Sequence, residues 1–370
     1  MFGSIFDKLT LNNGYQMPRH GTGPTRFREN PKKYREVLDY CIENGYRSFD
    51  SGARYGTEKG IGELIRTCGI PRDELFVTTK VNNIMHGYDK TKLDFENSYK
   101  TLGLDYIDLY LIHCPVPVKG EYVNTWRAIN EIYESGRVKA IGVSNFTIQH
   151  FYNLFEVSDI VPAVNQIEQH PFYFQPNLSA FMKKYGIISQ SYSPLGRGRY
   201  AQDDRVNYLA NKHHKTIAQI ILRWHIQSGF MLITNSSNPT RIKQNANIYD
   251  FELSPDDMAY MSSLNHLERM WHNPERFPGS VAHNHVERMF KEVADQTIEE
   301  SNTSPTQKDA ARQAIEELLS EKDIDGTIDI IIYCFQKAVA AYGPNKNIKD
   351  QAVENARIVA KEFVNDLLQT

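Results

Sequence analysis

Eight short extended runs alternate with helix-patterned stretches along residues 20–236, and this repeat constrains the fold more than any other feature. From Pro31 the apolar positions Tyr34, Val37, Leu38, Cys41 and Ile42 recur at helical spacing, and Gly45 ends the stretch. The run YRSFD (46–50) follows, then a helix over 57–67 and LFVTTKV (75–81), and a helix over 89–102 and YIDLYLIH (106–113). Helices over 121–135, 147–156, 176–185 and 216–228 precede VKAIGVSN (138–145), PAVNQIEQ (162–169), GIISQSYS (186–193) and FMLITNS (230–236) in turn, with Thr216 a candidate N-cap. With HGTG (20–23) as the first run, strict alternation implies parallel strands joined by right-handed crossovers. Eight such units in about 260 residues suit a closed (β/α)8 barrel of the TIM type. An open dinucleotide-binding sheet is disfavoured, because GTGPTR (21–26) lacks the third glycine of GxGxxG.

Two segments flank the repeat. DKLTLNNGYQMP (7–18) sets Asn-Gly between two extended runs, so a β-hairpin is expected there, positioned to close the barrel floor. After the turn-rich HNPERFPGS (272–280) the alternation stops. Helical patterns are expected over 281–299, 306–321, 325–341 and 347–368, the last marked by Val353, Ala356, Val359, Ala360, Phe363 and Leu367. The expected organisation is a barrel domain, 1–280, and a small all-α extension, 281–370, in which nothing reads as catalytic.

Composition excludes several function classes. Lys+Arg 42 against Asp+Glu 45 gives a net charge of -3, without the basic excess of a nucleic-acid binder. The sequence holds no apolar run of the ~18 residues that span a bilayer, and the N-terminus lacks the pattern of a secretory signal. Cys41, Cys68, Cys114 and Cys334 are widely spaced, as reduced thiols of a cytoplasmic protein would be. His283 and His285 alternate, and neither HExxH nor a carboxylate cluster completes a metal site, so no metal is expected. His213 and His214 read as a solvated pair between helices, and Trp126 and Trp224 as core residues.

In such barrels chemistry gathers at the C-terminal ends of the strands. Those ends carry Asp50 with Tyr55 just beyond, Lys80, His113, Ser144-Asn145, Tyr192-Ser193 and Asn235-Ser236-Ser237, with Gln166 within the sixth run. Strand interiors read as apolar. Any one of these side chains alone would be an ordinary rim residue, but their convergence suits one chemistry. An ammonium at Lys80 lowers the pKa of the Tyr55 phenol, Asp50 holds Lys80, and His113 orients an oxygen acceptor. With no Ser or Cys nucleophile in the set, proton donation to a carbonyl that receives hydride suits it better than hydrolysis.

The stretches LNNGYQMP (11–18), GYRSFDSGARYGTEKGIGELIR (45–66), LFVTTKV (75–81), LGLDYIDLYLIHCP (102–115), GRVKAIGVSNF (136–146), AVNQIEQHP (163–171), SYSPLG (191–196) and DFELSPDDM (250–258) resemble the aldo-keto reductase family, in order and spacing, over about residues 5–280. The resemblance implies an NAD(P)H-dependent oxidoreductase with a tetrad of Asp50, Tyr55, Lys80 and His113, Tyr55 being the general acid. It implies that Ser144, Asn145 and Gln166 hold the nicotinamide carboxamide and that Tyr192 stacks on the ring. Gly23, Asp50, Ser193, Leu195, Ser236, Ser237, Arg241, Gln244 and Asn245 complete the implied cofactor contacts.

Departures from the family pattern sharpen these expectations. Asn235 stands where a lysine usually contacts the 2′-phosphate, so NADP(H) is favoured but NAD(H) remains possible; Arg241 either engages the phosphate or adenine or only caps a surface helix. Around the substrate, Gly23 is followed by Pro24 and Thr25 where a Thr-Trp pair is frequent. Asn82 and Cys114 also stand where indoles are frequent, which predicts a wider, more polar pocket for small hydroxylated carbonyls. Gly52 departs from the usual residue between Asp50 and Tyr55, and Arg54 reads either as a pocket-rim charge or as a solvated loop charge. The 281–370 extension has no counterpart in the pattern and is a candidate for self-association or partner binding. Two other classes stand beside the reductase: a cofactor-binding sensor or accessory subunit acting through that extension, and a metal-dependent hydrolase, whose clustered ligands are absent.

Overall fold

The computed structural model describes residues 3–24, 29–117, 120–200, 203–271, 273–275, 298–299, 305 and 308–309. The chain divides into two units, Met1–Pro115 with Gly120–Met270, and Val116–Lys119 with Trp271–Thr370. The helices expected over 281–370 lie almost entirely outside the described residues.

The first unit holds every element of the alternation. A two-stranded hairpin, β1 (Lys8–Thr10) and β2 (Gln16–Pro18), precedes eight parallel strands: β3 (His20–Thr22), β4 (Ser48–Asp50), β5 (Phe76–Val81), β6 (Ile107–Ile112), β7 (Val138–Ser144), β8 (Val164–Glu168), β9 (Ile188–Tyr192) and β10 (Met231–Thr234). They pair in chain order and β10 closes on β3, which gives the (β/α)8 barrel that the repeat predicts. The connecting helices are α1 (Pro31–Glu43), α2 (Glu58–Thr67), α3 (Tyr88–Leu102), α4 (Tyr122–Glu134), α5 (Ile148–Phe155), α6 (Pro176–Lys184), α7 (Asp204–His213) and α8 (Ile217–Gln227); α9 (Pro239–Ala246) and α10 (Pro255–Ser263) follow the last strand.

Local chemistry sets these boundaries. Pro31 opens α1 with its φ already helical, while the Asn30 side chain accepts from Lys33 N. Thr216 and Gln219 form a reciprocal capping box that starts α8, as the sequence suggests. α7 is the helix that periodicity does not reveal, because only Val206, Leu209 and Ala210 of its ten residues are buried apolar positions. Its last residue is His213, whose Nε2 lies 2.9 Å from Asp257 Oδ2 on α10. His213 is therefore an interhelix contact, not half of a solvated pair; His214 is the left-handed residue just beyond it.

The hairpin forms the floor. Gly14 supplies a φ of 85° at the turn, which a side chain would strain. Asn13 Nδ2 donates to Lys139 O at 2.8 Å, tying the turn to the start of β7. Leu11 and Met17 then pack against Phe76, Leu109, Leu111, Ala140, Val164 and Met231 in the lower barrel. Trp126 and Trp224 are buried among helix-facing residues, the core role expected of them.

Strand interiors are less apolar than the sequence suggests. His20, Ser48, Thr78, Asn165, Gln166, Gln190 and Ser191 are all buried. Short strands stacked in a closed ring let one strand's amide meet the next strand's acceptor, which satisfies Gln166, whereas the Ser48, Thr78 and Ser191 hydroxyls have no partner among the described residues. Gln166 Nε2, for example, is 2.7 Å from Gln190 Oε1.

Candidate active site

β5 shows how the fold delivers a charged side chain to the barrel's upper interior. Alternation sends Val77 and Val81 toward the helices and Phe76 into the floor cluster, so Thr78 and Lys80 share the inward face with Phe76. Lys80 is fully buried, a position a lysine occupies only with partners. Its Nζ donates to Asp50 Oδ1 at 2.6 Å and to Ser51 O at 2.7 Å, both at the end of β4. Asp50 Oδ2 in turn accepts from Gln166 Nε2 at 2.8 Å. The ion pair is thus held at both ends.

Beyond β4, a single 3-10 turn, Ala53–Tyr55, carries Tyr55 back over this pair. Lys80 Nζ lies 5.1 Å from the Tyr55 ring centroid. The Tyr55 hydroxyl is 2.9 Å from His113 Nε2, just past β6, with the two rings edge to face at 5.3 Å. All four residues of the expected tetrad therefore meet in one cluster.

Their electrostatics differ in one respect from the sequence expectation. Lys80 does favour the Tyr55 phenolate, but burial outweighs it and Asp50 opposes it, so the phenol pKa lies above its ordinary value of 10. The Lys80 ammonium is the largest influence that opposes burial. It offsets part of the desolvation and leaves the hydroxyl protonated at neutral pH. His113 is held well below the usual imidazole value by burial first, then by the charges of Lys80, Arg54 and His86. The cluster thus presents one phenolic proton beside a neutral imidazole.

The expected cofactor residues form a continuous row on neighbouring elements. Ser144 ends β7 opposite Gln166, and its Oγ donates to Gln166 O at 2.7 Å. Asn145 follows in a left-handed conformation, φ 63°, which turns its amide across the site. Its Nδ2 donates to His113 O at 3.0 Å, and its Oδ1 accepts from Tyr192 OH at 2.7 Å. Ser193 (φ 48°) and Leu195 occupy the turn after β9. Gly23 follows β3, where a Cβ would meet Asp50 O at 3.2 Å and Ile233 Cγ2 at 3.3 Å, so glycine leaves this rim uncluttered. Ser236 and Ser237 follow β10, while Gln244 and buried Asn245 lie on α9.

Arg241 does not cap α9. The cap is the Asn238 side chain, which accepts from Arg241 N at 3.1 Å, and the Arg241 side chain is exposed beside the helix start. The donor set suits a nicotinamide dinucleotide: amides and a phenol at the strand ends, with serines after β10 and a guanidinium on α9. Among the described residues no group of three His, Cys, Asp or Glu could hold a metal ion.

At the expected substrate side, Asn82 follows β5 and is half-buried, and Cys114 follows β6 and is buried. Thr25 lies outside the described residues. Sequence reasoning misses Asp94 on α3, whose Oδ2 accepts from Asn82 N at 2.9 Å and so fixes the chain two residues past Lys80. It reads as a helix-surface residue because only the tertiary fold brings it under β5. Gln190, bonded to Gln166, does leave a signal: polar residues interrupt the apolar character of its strand.

Comparisons with known proteins follow the same outline. A profile described as the aldo/keto reductase family matches residues 20–266. A glyoxal reductase of Bacillus subtilis (strain 168) is 43% identical over 272 residues, covering 74% of this chain and 98% of the relative. A 9,11-endoperoxide prostaglandin H2 reductase of Trypanosoma cruzi (strain CL Brener) is 42% identical over 278 residues, covering 74% and 97%. Among solved structures, a Gox0644 mutant in complex with NADPH aligns with a TM-score of 0.69 at 38% identity, covering 73% of this chain and 98% of that one. A Bombyx mori aldo-keto reductase in complex with NADP aligns at 0.66 and 33%, covering 74% and 96%.

Proposed function

The chain belongs to the aldo/keto reductase family, and on that premise we propose that it reduces a small aldehyde or ketone to an alcohol, with Tyr55 as general acid and NADP(H) as the favoured cofactor. The observation that carries the reading is the Tyr55 hydroxyl, 2.9 Å from a neutral His113 and backed by the Lys80–Asp50 pair.

When bound, the nicotinamide supplies the hydride that the carbonyl carbon accepts. Ser144, Asn145 and Gln166 hold its carboxamide, and Tyr192 lies against its ring. Gly23, Asp50, Ser193 and Leu195 line the rest of its path, and Ser236, Ser237, Arg241, Gln244 and Asn245 receive the adenosine end. Asn235 offers the 2′-phosphate a hydrogen bond at most, which is weaker than a charge-assisted one. Arg241 therefore carries most of the preference for NADP(H), and NAD(H) is accepted as a poorer cofactor.

The carbonyl oxygen docks against the Tyr55 hydroxyl and His113 Nε2, which are 2.9 Å apart, and accepts a hydrogen bond from each when Nε2 carries the imidazole proton. Because His113 resists protonation, it orients the oxygen without competing as an acid. Tyr55 keeps its proton until negative charge grows on that oxygen, then releases it, and Lys80 stabilises the phenolate that remains. Asn82 and Cys114 border the substrate in place of bulkier rings, which favours small hydroxylated carbonyls over aromatic aldehydes. We assign this machinery to a barrel domain of residues 1–280, and the separate extension 281–370 to assembly or partner contacts.

Oxidation of NADPH and of NADH across a panel of small carbonyls tests the proposal. Carbonyl-dependent oxidation, faster with NADPH and faster with a sugar-like aldehyde than with benzaldehyde, is the expected result. Quenching of intrinsic fluorescence by NADPH, with no turnover of any carbonyl, would favour a cofactor sensor instead.

A further inference from the structure

The charges around the oxygen site do not balance. Asp50 is committed to Lys80 at 2.6 Å and to Gln166 at 2.8 Å, so the one carboxylate at the centre already has a partner cation. Of the remaining carboxylates on adjoining elements, Glu58 accepts from Thr79 Oγ1 at 2.6 Å, and Asp94 holds Asn82 N. Glu168 accepts from Met270 N at 2.6 Å and faces His170. Arg54 stands apart from all of these. It is exposed in the turn Ala53–Tyr55, immediately before Tyr55, and among the described residues its side chain has no hydrogen bond or ion pair. Its charge nevertheless acts on both Tyr55 and His113, the two groups that frame the carbonyl oxygen. The charges acting on His113, those of Lys80, Arg54 and His86, all have the same sign.

We infer that Arg54 forms an anion subsite beside the carbonyl site, which selects substrates whose carboxylate is bonded directly to the carbonyl carbon, that is, 2-oxo acids and glyoxylate. The inference rests on the carbonyl-reductase reading and specifies its substrate class. A guanidinium on an exposed turn, unengaged and one residue from the proton donor, offers a planar pair of donors to a planar carboxylate. An exposed guanidinium without a carboxylate partner among the described residues also attracts anions from solution. The reaction is unchanged in balance: the carbonyl carbon takes the hydride, the carbonyl oxygen takes the Tyr55 proton, and the carboxylate leaves as it entered, now in a 2-hydroxy acid.

Glyoxylate and glyoxal share a two-carbon aldehyde skeleton and differ in the anionic group, so the ratio of their kcat/KM values isolates it. The intact chain and its Arg54→Gln and Arg54→Lys variants are assayed with NADPH at low and high salt. The inference predicts that Arg54→Gln lowers the glyoxylate-to-glyoxal ratio at least tenfold, mainly through KM for glyoxylate, and that Arg54→Lys restores most of it. It predicts also that salt lowers the ratio in the wild type more than in Arg54→Gln. A ratio that Arg54→Gln leaves unchanged, with glyoxal still reduced, overturns the anion subsite and spares the reductase reading. Failure of the wild type on both aldehydes and on every other carbonyl overturns the reductase reading and the subsite with it.

Discussion

His20, His113 and His225 are imidazoles that burial keeps neutral. His20 is pushed down to about 3 and His225 to about 4, although two backbone carbonyls facing His225 favour its charged form; His113 is lowered well below its usual 6.5. In the unfolded chain each titrates near ~6.5. Below that pH the unfolded chain binds protons that the folded chain refuses, so stability is full above about pH 6.5 and falls as acid is added, by about 1.4 kcal/mol per pH unit for each such group. Asp94 acts in the opposite sense, since burial lifts it to about 6 and the folded chain takes up its proton first. Asp108, also raised by burial, acts in the same sense as Asp94, and three imidazoles against these two carboxylates still leave a net loss. The melting temperature is expected to drop steadily between pH 6.5 and 4.5; a flat or rising curve would contradict the neutral buried rings. That Asp50, Lys80 and His113 would come together was legible in the sequence because each stands at or next to the end of a strand, with Tyr55 one turn beyond. Their pKa directions were not, because desolvation depends on what the fold stacks around a side chain.

β5 and its neighbours show where element-scale reading succeeds and stops. The runs predicted as strands contain all eight observed barrel strands, since each run is short and alternates with a helix-patterned stretch. Polar inward positions on β4, β8 and β9 were missed as such, because a polar residue in a strand looks the same whether it meets solvent or a partner across the barrel. Helix packing was equally hidden. Gly62 on α2 lies against the C-terminal end of α3, where a Cβ would come within 2.0 Å of Leu102 O. That neighbour is backbone and cannot swing aside. Gly62→Ala should therefore cost about 1–3 kcal/mol as the helices are forced apart. Thermal unfolding would show this as a melting temperature lower by several degrees, whereas an unchanged or raised value would mean that the helices do not approach so closely.

For the whole molecule, the alternation predicted a barrel and the hairpin predicted its floor; both are present. The family match covers residues 20–266, within that barrel. No helix among the described residues is long and apolar enough to cross a membrane. The whole fold brings β4, β5, β6 and the turn after β4 together, so that residues 50, 55, 80 and 113, distant in the chain, meet in one cluster. The central proposal is that Tyr55 is the proton donor of this cluster. Its most direct test is the Tyr55→Phe variant, assayed for carbonyl-dependent NADPH oxidation alongside the affinity for NADPH measured by fluorescence. Loss of the general acid should lower kcat at least ~100-fold while the dissociation constant for NADPH stays within about threefold of wild type. A variant that turns over at the wild-type rate would contradict the account.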